Sequence, residues 1–389
     1  MTRDFLLILV SMFVWGVGEG MFTYFQPLYL QQWGASPVMI GGILGTVGLA
    51  ITAVQAPAGY LGDRIGTRPL LWASWVLATG FVWMMALANS LPVFATALVF
   101  YGLTAAMVAP INSYITGIRG HVSIGRALAL TYGAWQLGSV FGPLVGGKVG
   151  EESGMRSIYF IAAGILTVST AVVLFIRPLP VHPEVPAPGK SQILRNPHFM
   201  LFIGIMAAAV FATYLPYPFT SNFLQNQRGL SLAAIGQLGA LSSLGSALLA
   251  LTLSHLNPSL VLLIGQACVG VFALLLWRGT GMAWYGLGAF FFGGYRLSRS
   301  MTSALARRLI PAGEIGLAYG LMETANSSAT ILAPIAAGFL YQQNPILIYP
   351  ASLAAIGIAL AASGWYLAAS RHSPARKPEP VEIEFAEFR

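Results

Sequence analysis

Residues 59–71 read Gly59-Tyr60-Leu61-Gly62-Asp63-Arg64-Ile65-Gly66-Thr67-Arg68-Pro69-Leu70-Leu71, and this short charged stretch separates two long apolar runs. The runs, 37–61 and 69–88, are each long enough for a helix to cross the hydrocarbon core of a bilayer. Gly66 permits the tight turn that would join two such helices on one face of a membrane. The stretch therefore predicts a transmembrane helical hairpin, and the rest of the sequence repeats this pattern.

The composition of the whole chain is that of a membrane protein. Only 8% of the 389 residues are charged and 56% are hydrophobic, whereas a soluble globular domain carries about 25% charged residues. The net charge of +8 does not indicate nucleic-acid binding, because the basic residues lie in short loops and form no continuous face. Cys268 is the single cysteine and lies in an apolar run, so a buried thiol is predicted and an intramolecular disulfide is excluded.

Twelve apolar runs have the length of a membrane-crossing helix, which predicts an all-α polytopic membrane protein. We number them as spans 1 to 12, at 5–31, 37–61, 69–88, 91–117, 125–149, 156–177, 199–225, 231–254, 259–277, 282–306, 315–340 and 346–369. Residues 179–198 contain five prolines and are too polar to span. We therefore predict an N-terminal six-helix bundle (1–178), a cytoplasmic linker (179–198), a C-terminal six-helix bundle (199–370) and a disordered cytoplasmic tail (371–389).

The distribution of basic residues between the loops predicts the orientation. Fourteen Lys and Arg residues lie on the side of the N-terminus, and four lie on the opposite side, at Lys148, Arg156, Arg228 and Arg278. Cytoplasmic loops of membrane proteins carry the excess of positive charge. Both termini are therefore predicted to be cytoplasmic, in the plasma or inner membrane of the cell.

The two halves of the sequence resemble each other. Gln32-Trp33-Gly34-Ala35-Ser36 recurs, 195 residues later, as Gln227-Arg228-Gly229-Leu230-Ser231. Tyr101-Gly102-Leu103 recurs as Tyr285-Gly286-Leu287, and the segment 142–147 is echoed at 333–338. Each echo falls in the same span of its half, so the sequence predicts two pseudo-symmetric bundles with a substrate site between them near the middle of the membrane.

The six-plus-six layout and the loop at 59–71 resemble the major facilitator superfamily, whose signature lies between the second and third helices. The residues that match the signature are Gly59, Asp63, Arg64, Gly66 and Arg68, whereas Thr67 replaces a usual basic residue. The resemblance implies that Asp63 acts on span 11, which begins near Gly316, as a latch of the outward-facing state. The alternative is that the arginines only follow the positive-inside rule. The matching loop of the second half, 254–258, has neither acid nor arginine.

A second motif lies in span 5, where the spacing GxxxGPxxGG is formed by Gly138, Gly142, Pro143, Gly146 and Gly147. In the superfamily it is associated with exporters, especially the drug–proton antiporter group. Glycines four residues apart let helices approach closely, and proline bends a helix. We expect span 5 to pack against the small residues of span 8, and span 2 to pack, through its glycines, against 325–329 of span 11. Ordinary close packing without any relation to transport direction is the alternative.

Four ionisable residues lie within spans and are candidates for proton coupling: Glu19, Arg296, Arg299 and Glu323. Charges inside a bilayer face a cavity or a partner. Glu323 has two candidate partners, Arg299 and Arg296, and such a pair is either functional or purely structural. Glu19 has no partner within span 1, so it is the first candidate for the proton carrier. The alternative is a permanently protonated carboxyl group. Many drug–proton antiporters carry an arginine in the fourth helix, and span 4 has none before Arg119.

The resemblance implies that spans 1, 4, 7 and 10 line the cavity. The predicted cavity residues are polar or aromatic: Trp15, Tyr24, Gln26, Asn112, Tyr114, Trp135, Gln136, Tyr214, Tyr217, Asn222, Tyr295 and Asn326. Aromatic surfaces with a few polar groups suit apolar or amphipathic solutes. Trp and Tyr near helix ends also serve as membrane-interface anchors, which is the alternative for each residue singly.

The sequence has no P-loop, no metal-ligand cluster and no nucleophile elbow, so an enzyme, a cofactor and a bound metal are not expected. We predict a monomeric secondary transporter working by alternating access, with a small-molecule substrate, protons and membrane lipid as partners. Proton-coupled export of a small apolar or amphipathic solute is the leading interpretation. The alternatives are a proton-independent facilitator or uptake carrier for a neutral solute such as a sugar, a lipid flippase, or a membrane sensor that does not transport.

Overall fold

The computed structural model describes residues 2–179, 196–253, 255–306, 310 and 315–371, and short connections join the helices that these residues form. Eight spans are single helices, at Pro37–Ile65 (span 2), Thr67–Leu87 (3), Ile124–Ser153 (5), Met155–Val173 (6), Leu232–Leu253 (8), Pro258–Arg278 (9), Ile315–Gln343 (11) and Ile348–Arg371 (12). The predicted all-α fold of twelve spans is confirmed. Most of the predicted linker and tail, at 180–195 and 372–389, lies outside the described residues.

Spans 1, 4, 7 and 10 are interrupted. Their helices are Arg3–Thr23 and Gln26–Gln32, Leu91–Leu103 and Val108–Ile118, Pro197–Tyr214 and Thr220–Asn226, and Met282–Phe292 and Gly294–Ala306. Pro27 lies in the first turn after the break of span 1, and Pro216 and Pro218 lie in the break of span 7. Irregular backbone inside a membrane is tolerated where it is buried in protein or lines a cavity. The interrupted spans are the four that the family resemblance places around the cavity.

Nine helices of the described part of the chain are long and apolar enough to cross a membrane, and they belong to spans 1–4, 6–9 and 12. The other three spans contain more glycine and polar residues or are divided into short helices. They hold the span 5 motif, the two arginines of span 10, and Glu323. The least lipid-like spans thus carry the span 5 motif and three of the four predicted ionisable residues, whereas Glu19 lies in span 1.

Both ends of the described chain lie on one face of the molecule. The Thr2 hydroxyl donates to the Ile118 carbonyl at the end of span 4 (2.6 Å), and the Tyr366 hydroxyl donates to the His198 carbonyl at the start of span 7 (3.2 Å). We call this the terminal face, and we call the opposite face, which carries the turns at Gly34, Gly154, Gly229 and Gly281, the distal face. On the terminal face Gly66 has φ 87°, a conformation that glycine adopts without strain, and it forms the predicted tight turn between spans 2 and 3.

Buried hydrogen bonds join the helices inside each bundle. Ser11 and Ser169 bond to each other at 2.7 Å, and the Trp75 indole donates to the Ser11 hydroxyl at 3.1 Å, which links spans 1, 6 and 3. In the second bundle, the Gln266 amide donates to the Ser363 hydroxyl (3.1 Å) and joins spans 9 and 12. Each bond satisfies polar groups that are buried away from water. Cys268 is a free and buried thiol, as predicted.

The two bundles meet along two pairs of helices, spans 2 and 11 and spans 5 and 8. Gly147 of span 5 lies against the backbone of Leu232 and Gly236 in span 8, which confirms the predicted pairing. Span 2 pairs with span 11, also as predicted, but its glycines contact 330–338, further along span 11 than the predicted 325–329. The difference follows from the antiparallel register of the two helices, because the glycines lie in the first half of span 2 and therefore meet the second half of span 11, including Pro334 and Gly338.

Candidate proton and solute site

Glu19 lies between three spans of the first bundle. Its Oε1 accepts a hydrogen bond from the Tyr101 hydroxyl of span 4 (3.0 Å), and its Oε2 accepts one from the Trp135 indole of span 5 (2.9 Å). Among the described residues, no Lys, Arg or His lies within ion-pair distance of Glu19. Its partners are thus neutral donors supplied by other spans, which a search within span 1 could not find.

The glycines of the span 5 motif allow Trp135 to lie close to Glu19. Gly138 and Gly142 lie directly on the backbone of span 1, beside the carbonyls of Phe13 and Val17, and Gly16 of span 1 lies against the Trp135 carbonyl. Small residues on both helices permit this backbone approach. The span 5 motif therefore serves contacts with span 1 as well as the predicted contact with span 8.

Arg296 of the second bundle lies on the other side of Trp135. Its guanidinium carbon is 4.9 Å from the centre of the Trp135 ring, and its Nη1 donates to Gln136 Oε1 at 3.1 Å. The Gln136 amide in turn donates to the Ser243 carbonyl of span 8 at 2.9 Å. Two consecutive residues of span 5 thus connect Glu19 with spans 8 and 10 of the other bundle.

Arg299, one turn further along span 10, forms an ion pair with Glu323 of span 11. The structure therefore selects the Arg299–Glu323 pair from the two that the sequence left open. The two side chains are 36% and 40% exposed, so the pair is partly accessible. Arg296 faces the first bundle, and Arg299 holds two helices of its own bundle together.

Aromatic rings form a wall beside these charges. Tyr24 of span 1 contacts Tyr217 of span 7, with ring centres 6.1 Å apart. Tyr217 stacks on Phe292 at 4.5 Å, and Tyr214 lies 5.3 Å from Tyr295, the residue next to Arg296. The wall crosses from one bundle to the other and combines aromatic rings with hydroxyl groups.

The remaining predicted cavity residues occupy two kinds of place. The Asn112 oxygen accepts from the exposed Tyr132 hydroxyl at 2.9 Å, on the surface of spans 4 and 5. In contrast, Gln26, Asn222 and Asn326 are buried between helices. The Asn222 amide donates to the Pro27 carbonyl across the bundle interface at 3.2 Å.

Two residues predicted to line the cavity are packed inside the first bundle instead. The Tyr114 ring is fully buried, and its hydroxyl donates to the Arg177 carbonyl at 2.8 Å, which ties the ends of spans 4 and 6 together. Trp15 is 1% exposed and packs against Trp75 with ring centres 5.1 Å apart. These predictions were wrong because residue type and span alone do not tell which side of a helix faces the bundle core.

The predicted latch is described only in part. The Arg64 guanidinium lies 4.5 Å from the Tyr60 ring centre, and the Arg68 guanidinium lies 3.8 Å from the Trp72 ring centre. The Asp63 side chain and residues 311–314, just before span 11, lie outside the described part of the chain. The action of Asp63 on span 11 stays a prediction.

Two residues of the site were not predicted. Tyr101 belongs to the segment that recurs at Tyr285, and this repeat was the only signal that marked it. Ser243 contributes its backbone carbonyl, which no sequence pattern reveals. No group of three or more His, Cys, Asp or Glu residues that could hold a metal occurs in the part of the chain that the structure describes.

A chain with twelve spans, four of them interrupted, and an ionisable acid held among spans 1, 4 and 5 has the fold of a membrane transporter. Residues 6–297 match the family model of the Major Facilitator Superfamily. The chain belongs to this superfamily, as its loop at 59–71 predicted.

Individual relatives are distant. The chain is 23% identical over 358 residues to an uncharacterised MFS-type transporter of Methanocaldococcus jannaschii, a match that covers 87% of this chain and 92% of the relative. It is 28% identical over 179 residues to the multidrug resistance protein MdtG of Escherichia coli, and this match covers 44% of each chain. Its fold is similar to that of the nucleoside transporter NupG, with a TM-score of 0.81, 14% identity, and coverage of 94% of this chain and 99% of that one.

Proposed function

We propose that this protein is a proton-coupled exporter of small apolar or amphipathic solutes that works by alternating access, with the terminal face in the cytoplasm. The observation that carries the proposal is the place of Glu19. An acid held only by neutral donors can gain or lose a proton without breaking an ion pair, and one of these donors touches the other bundle through Arg296. This position supports a protonation site close to the interface that must move.

The geometry of the interface supports the alternating-access part of the proposal. Cross-bundle hydrogen bonds run from Gln136, in the middle of the membrane, to the distal face, where Glu151 accepts from the Ala233 backbone amide at 2.8 Å. Near the same face, the Asn226 amide donates to the Gln31 oxygen at 3.0 Å. A molecule closed on its distal face is in the state in which a solute enters from the terminal face.

The chemistry of the site and one relative support the solute class and the direction. The wall of Tyr24, Tyr214, Tyr217 and Tyr295 favours solutes with apolar or aromatic surface. The partial likeness to MdtG favours export. In the proposed cycle, a proton from outside loads Glu19, and its release inside accompanies binding of the solute that leaves.

The test uses purified protein in liposomes that contain a pH-sensitive dye. Lipophilic cations, neutral drugs, sugars and lysolipids are added in turn to wild type, Glu19→Gln and Glu152→Gln. Glu152 is an exposed acid on the distal face, so its variant controls for loss of a charge. We expect one solute class to drive proton movement in wild type and Glu152→Gln, and the signal to vanish in Glu19→Gln.

Two outcomes would contradict the proposal. Solute movement without proton movement in wild type would assign a facilitator or a flippase. Proton movement that persists in Glu19→Gln and disappears in Glu323→Gln would move the proton site to span 11.

A further inference from the structure

Two consecutive residues of span 5, Trp135 and Gln136, both contact Arg296, and each has a second partner. Trp135 contacts the acid of its own bundle through its indole N–H and the Arg296 guanidinium of the other bundle through its ring. Gln136 contacts the same Arg296 and the Ser243 carbonyl. A movement of the Trp135 ring therefore acts directly on one of the two contacts that Arg296 makes with the first bundle.

The two donors of Glu19 respond differently to a proton. A tyrosine hydroxyl donates or accepts, so Tyr101 can rotate and accept from a protonated Oε1. An indole nitrogen only donates, so Trp135 has no second arrangement. Protonation of the carboxylate also turns a charge-assisted hydrogen bond into a weaker neutral one. Protonation of Glu19 thus weakens its hydrogen bond with Trp135, and the indole cannot form a new bond with the protonated carboxyl group in its place.

We propose that Trp135 is the positioning residue that transmits the protonation state of Glu19 to the bundle interface. With Glu19 ionised and no solute bound, the indole is held in place, its ring supports Arg296, and the empty carrier does not switch. With Glu19 protonated, the ring is released, the contact of Arg296 with span 5 loosens, and the bundles are free to move relative to each other, so the proton-loaded carrier returns without solute. The proposal rests on the proposed role of Glu19 as the proton carrier and adds the route by which its charge reaches span 10.

The charged and titratable groups around Glu19 are few among the described residues. Span 4 contributes Tyr101, span 6 contributes Tyr159 beside Phe22 of span 1, and span 10 contributes Arg296. The charges of span 5 lie at its ends, with Arg126 at the terminal face and Lys148, Glu151 and Glu152 at the distal face. Glu19 is therefore the carboxyl group whose proton the Trp135 indole senses.

The variant Trp135→Phe keeps an aromatic ring under Arg296 and removes the N–H donor. Trp83→Phe is the matched control, because the Trp83 indole donates to the Thr167 hydroxyl at 3.1 Å on a lipid-facing surface far from Glu19. In liposomes we measure protons moved per solute and the pH profile of solute counterflow. We expect Trp135→Phe to keep solute movement, with a several-fold lower proton-to-solute ratio and a flattened pH profile. Trp83→Phe should match wild type.

The variant Arg296→Gln removes the guanidinium group that the Trp135 ring contacts in the second bundle. We expect the same loss of coupling, and the double variant Trp135→Phe/Arg296→Gln should be no worse than either single one, because both act in series. A folded Trp135→Phe protein with the wild-type ratio and pH profile would overturn the proposal.

A spectroscopic measurement decides the question even if a variant fails to fold or wild type moves no protons. In wild type labelled with ¹⁵N-tryptophan, we follow the Trp135 indole resonance, identified by its absence from Trp135→Phe or by selective labelling. The resonance should shift as pH changes in wild type and remain constant in Glu19→Gln. A resonance that ignores pH in wild type would refute the role of Trp135. Absence of solute-driven proton movement, with the shift intact, would refute only the exporter.

Discussion

At the scale of single residues, the molecule accommodates charge in a membrane in two ways. Glu19 receives hydrogen bonds from two neutral donors, whereas Arg299 and Glu323 neutralise each other. An ion pair removed from water must offset the desolvation of both groups, and removal of one partner leaves the other charge exposed to that penalty. The neutral donors around Glu19 permit its charge to change, whereas the ion pair opposes a change of charge on Arg299 or Glu323.

This contrast predicts how the Arg299–Glu323 pair responds to substitution. Arg299→Gln and Glu323→Gln should each lower the free energy of unfolding, by an amount between the ~1 kcal/mol of an exposed pair and the ~3–5 kcal/mol of a buried one. The neutral double variant should recover most of the loss, because no unpaired charge remains. Thermal unfolding in detergent measures all three.

The control for this measurement is Glu152→Gln. Glu152 and Lys148 are 4.0 Å apart with side chains 64% and 74% exposed, so loss of this pair should leave the unfolding temperature unchanged. A double variant whose loss equals the sum of the two single losses would show that Arg299 and Glu323 stabilise the protein independently.

At the scale of elements, span 5 connects most of the site. Gly138, Gly142 and Gly146 lie on the backbone of span 1, and Gly147 lies on span 8. One side of the helix thus builds the first bundle, and a neighbouring side contacts the second. In this molecule the span 5 motif therefore packs one helix against both span 1 and span 8.

The glycine contacts predict which substitutions the helix tolerates. A methyl group at Gly142 would meet the Val17 carbonyl and Gly20, so Gly142→Ala should lower the free energy of unfolding by about 1–3 kcal/mol. Gly133 of the same helix has no neighbouring atom within 4 Å of such a methyl group. Gly133→Ala should therefore be neutral or slightly stabilising, since alanine is the better helix former. Thermal unfolding in detergent compares the two, and equal effects would contradict the assignment of Gly142 to the span 1 contact.

The distal end of span 5 predicts a dependence on pH. Glu151 lies beyond the membrane-spanning part, and the hydrogen bond from the Ala233 backbone amide, in the first turn of span 8, holds the pKa of Glu151 below its usual range. A carboxyl group with a lowered pKa stabilises the closed distal face at pH values above its ordinary pKa of about 4.3. This contribution is lost as the pH falls through the lowered value. We expect Glu151→Gln to shift the distal face toward the open state at neutral pH, in the direction in which strong acid should shift it in wild type.

Opening is measured as the distance between spin labels at Gln32 and Gln342, two exposed positions near the distal face in different bundles. Cysteines for labelling are introduced after Cys268→Ala removes the native thiol. Glu152→Gln should keep the wild-type distance distribution. If Glu151→Gln also keeps it at every pH, the bond to span 8 does not hold the distal face closed.

At the scale of the whole molecule, the contacts that join the two bundles in the described part of the chain are concentrated from mid-membrane to the distal face. Gly41 lies on Pro334 and Gly338, Gly147 lies on Leu232, and Asn222 bonds to Pro27. The hydrogen bonds among these contacts are few and are each replaceable by water when the bundles part. Such an interface suits two rigid bodies that rock about a central site.

The distribution of basic residues predicts the orientation of the molecule in the cell. A green fluorescent protein fused after Arg389 should fluoresce, because the terminal face is predicted to lie in the cytoplasm. Alkaline phosphatase inserted at Gly154, a turn of the distal face, should be active, and the same insertion at Gly120 should be inactive. The reverse pattern would place the termini outside and invert the proposed direction of transport.

The number and order of the spans and the superfamily were predictable from the sequence, whereas the breaks in spans 1, 4, 7 and 10 were not predicted. The hydrocarbon core sets the length of each apolar run, and 59–71 and the span 5 motif carry residues that only this kind of turn and packing require. The four charges inside spans were also evident, because a charge in an apolar run stands out whatever the helix packs against. These properties depend on residues close together in the chain, so the sequence alone determines them.

The partners of those charges were decided by the tertiary structure. Tyr101 and Trp135, which donate hydrogen bonds to Glu19, are 82 and 116 positions away from it in the chain. Arg299, rather than Arg296, forms the ion pair with Glu323. The burial of Tyr114 and Trp15 was likewise decided by the tertiary structure. Each depends on the rotation of one helix about its axis relative to a neighbour. In a membrane helix that is apolar on all sides, the periodicity of the sequence does not record that rotation, and only packing fixes it.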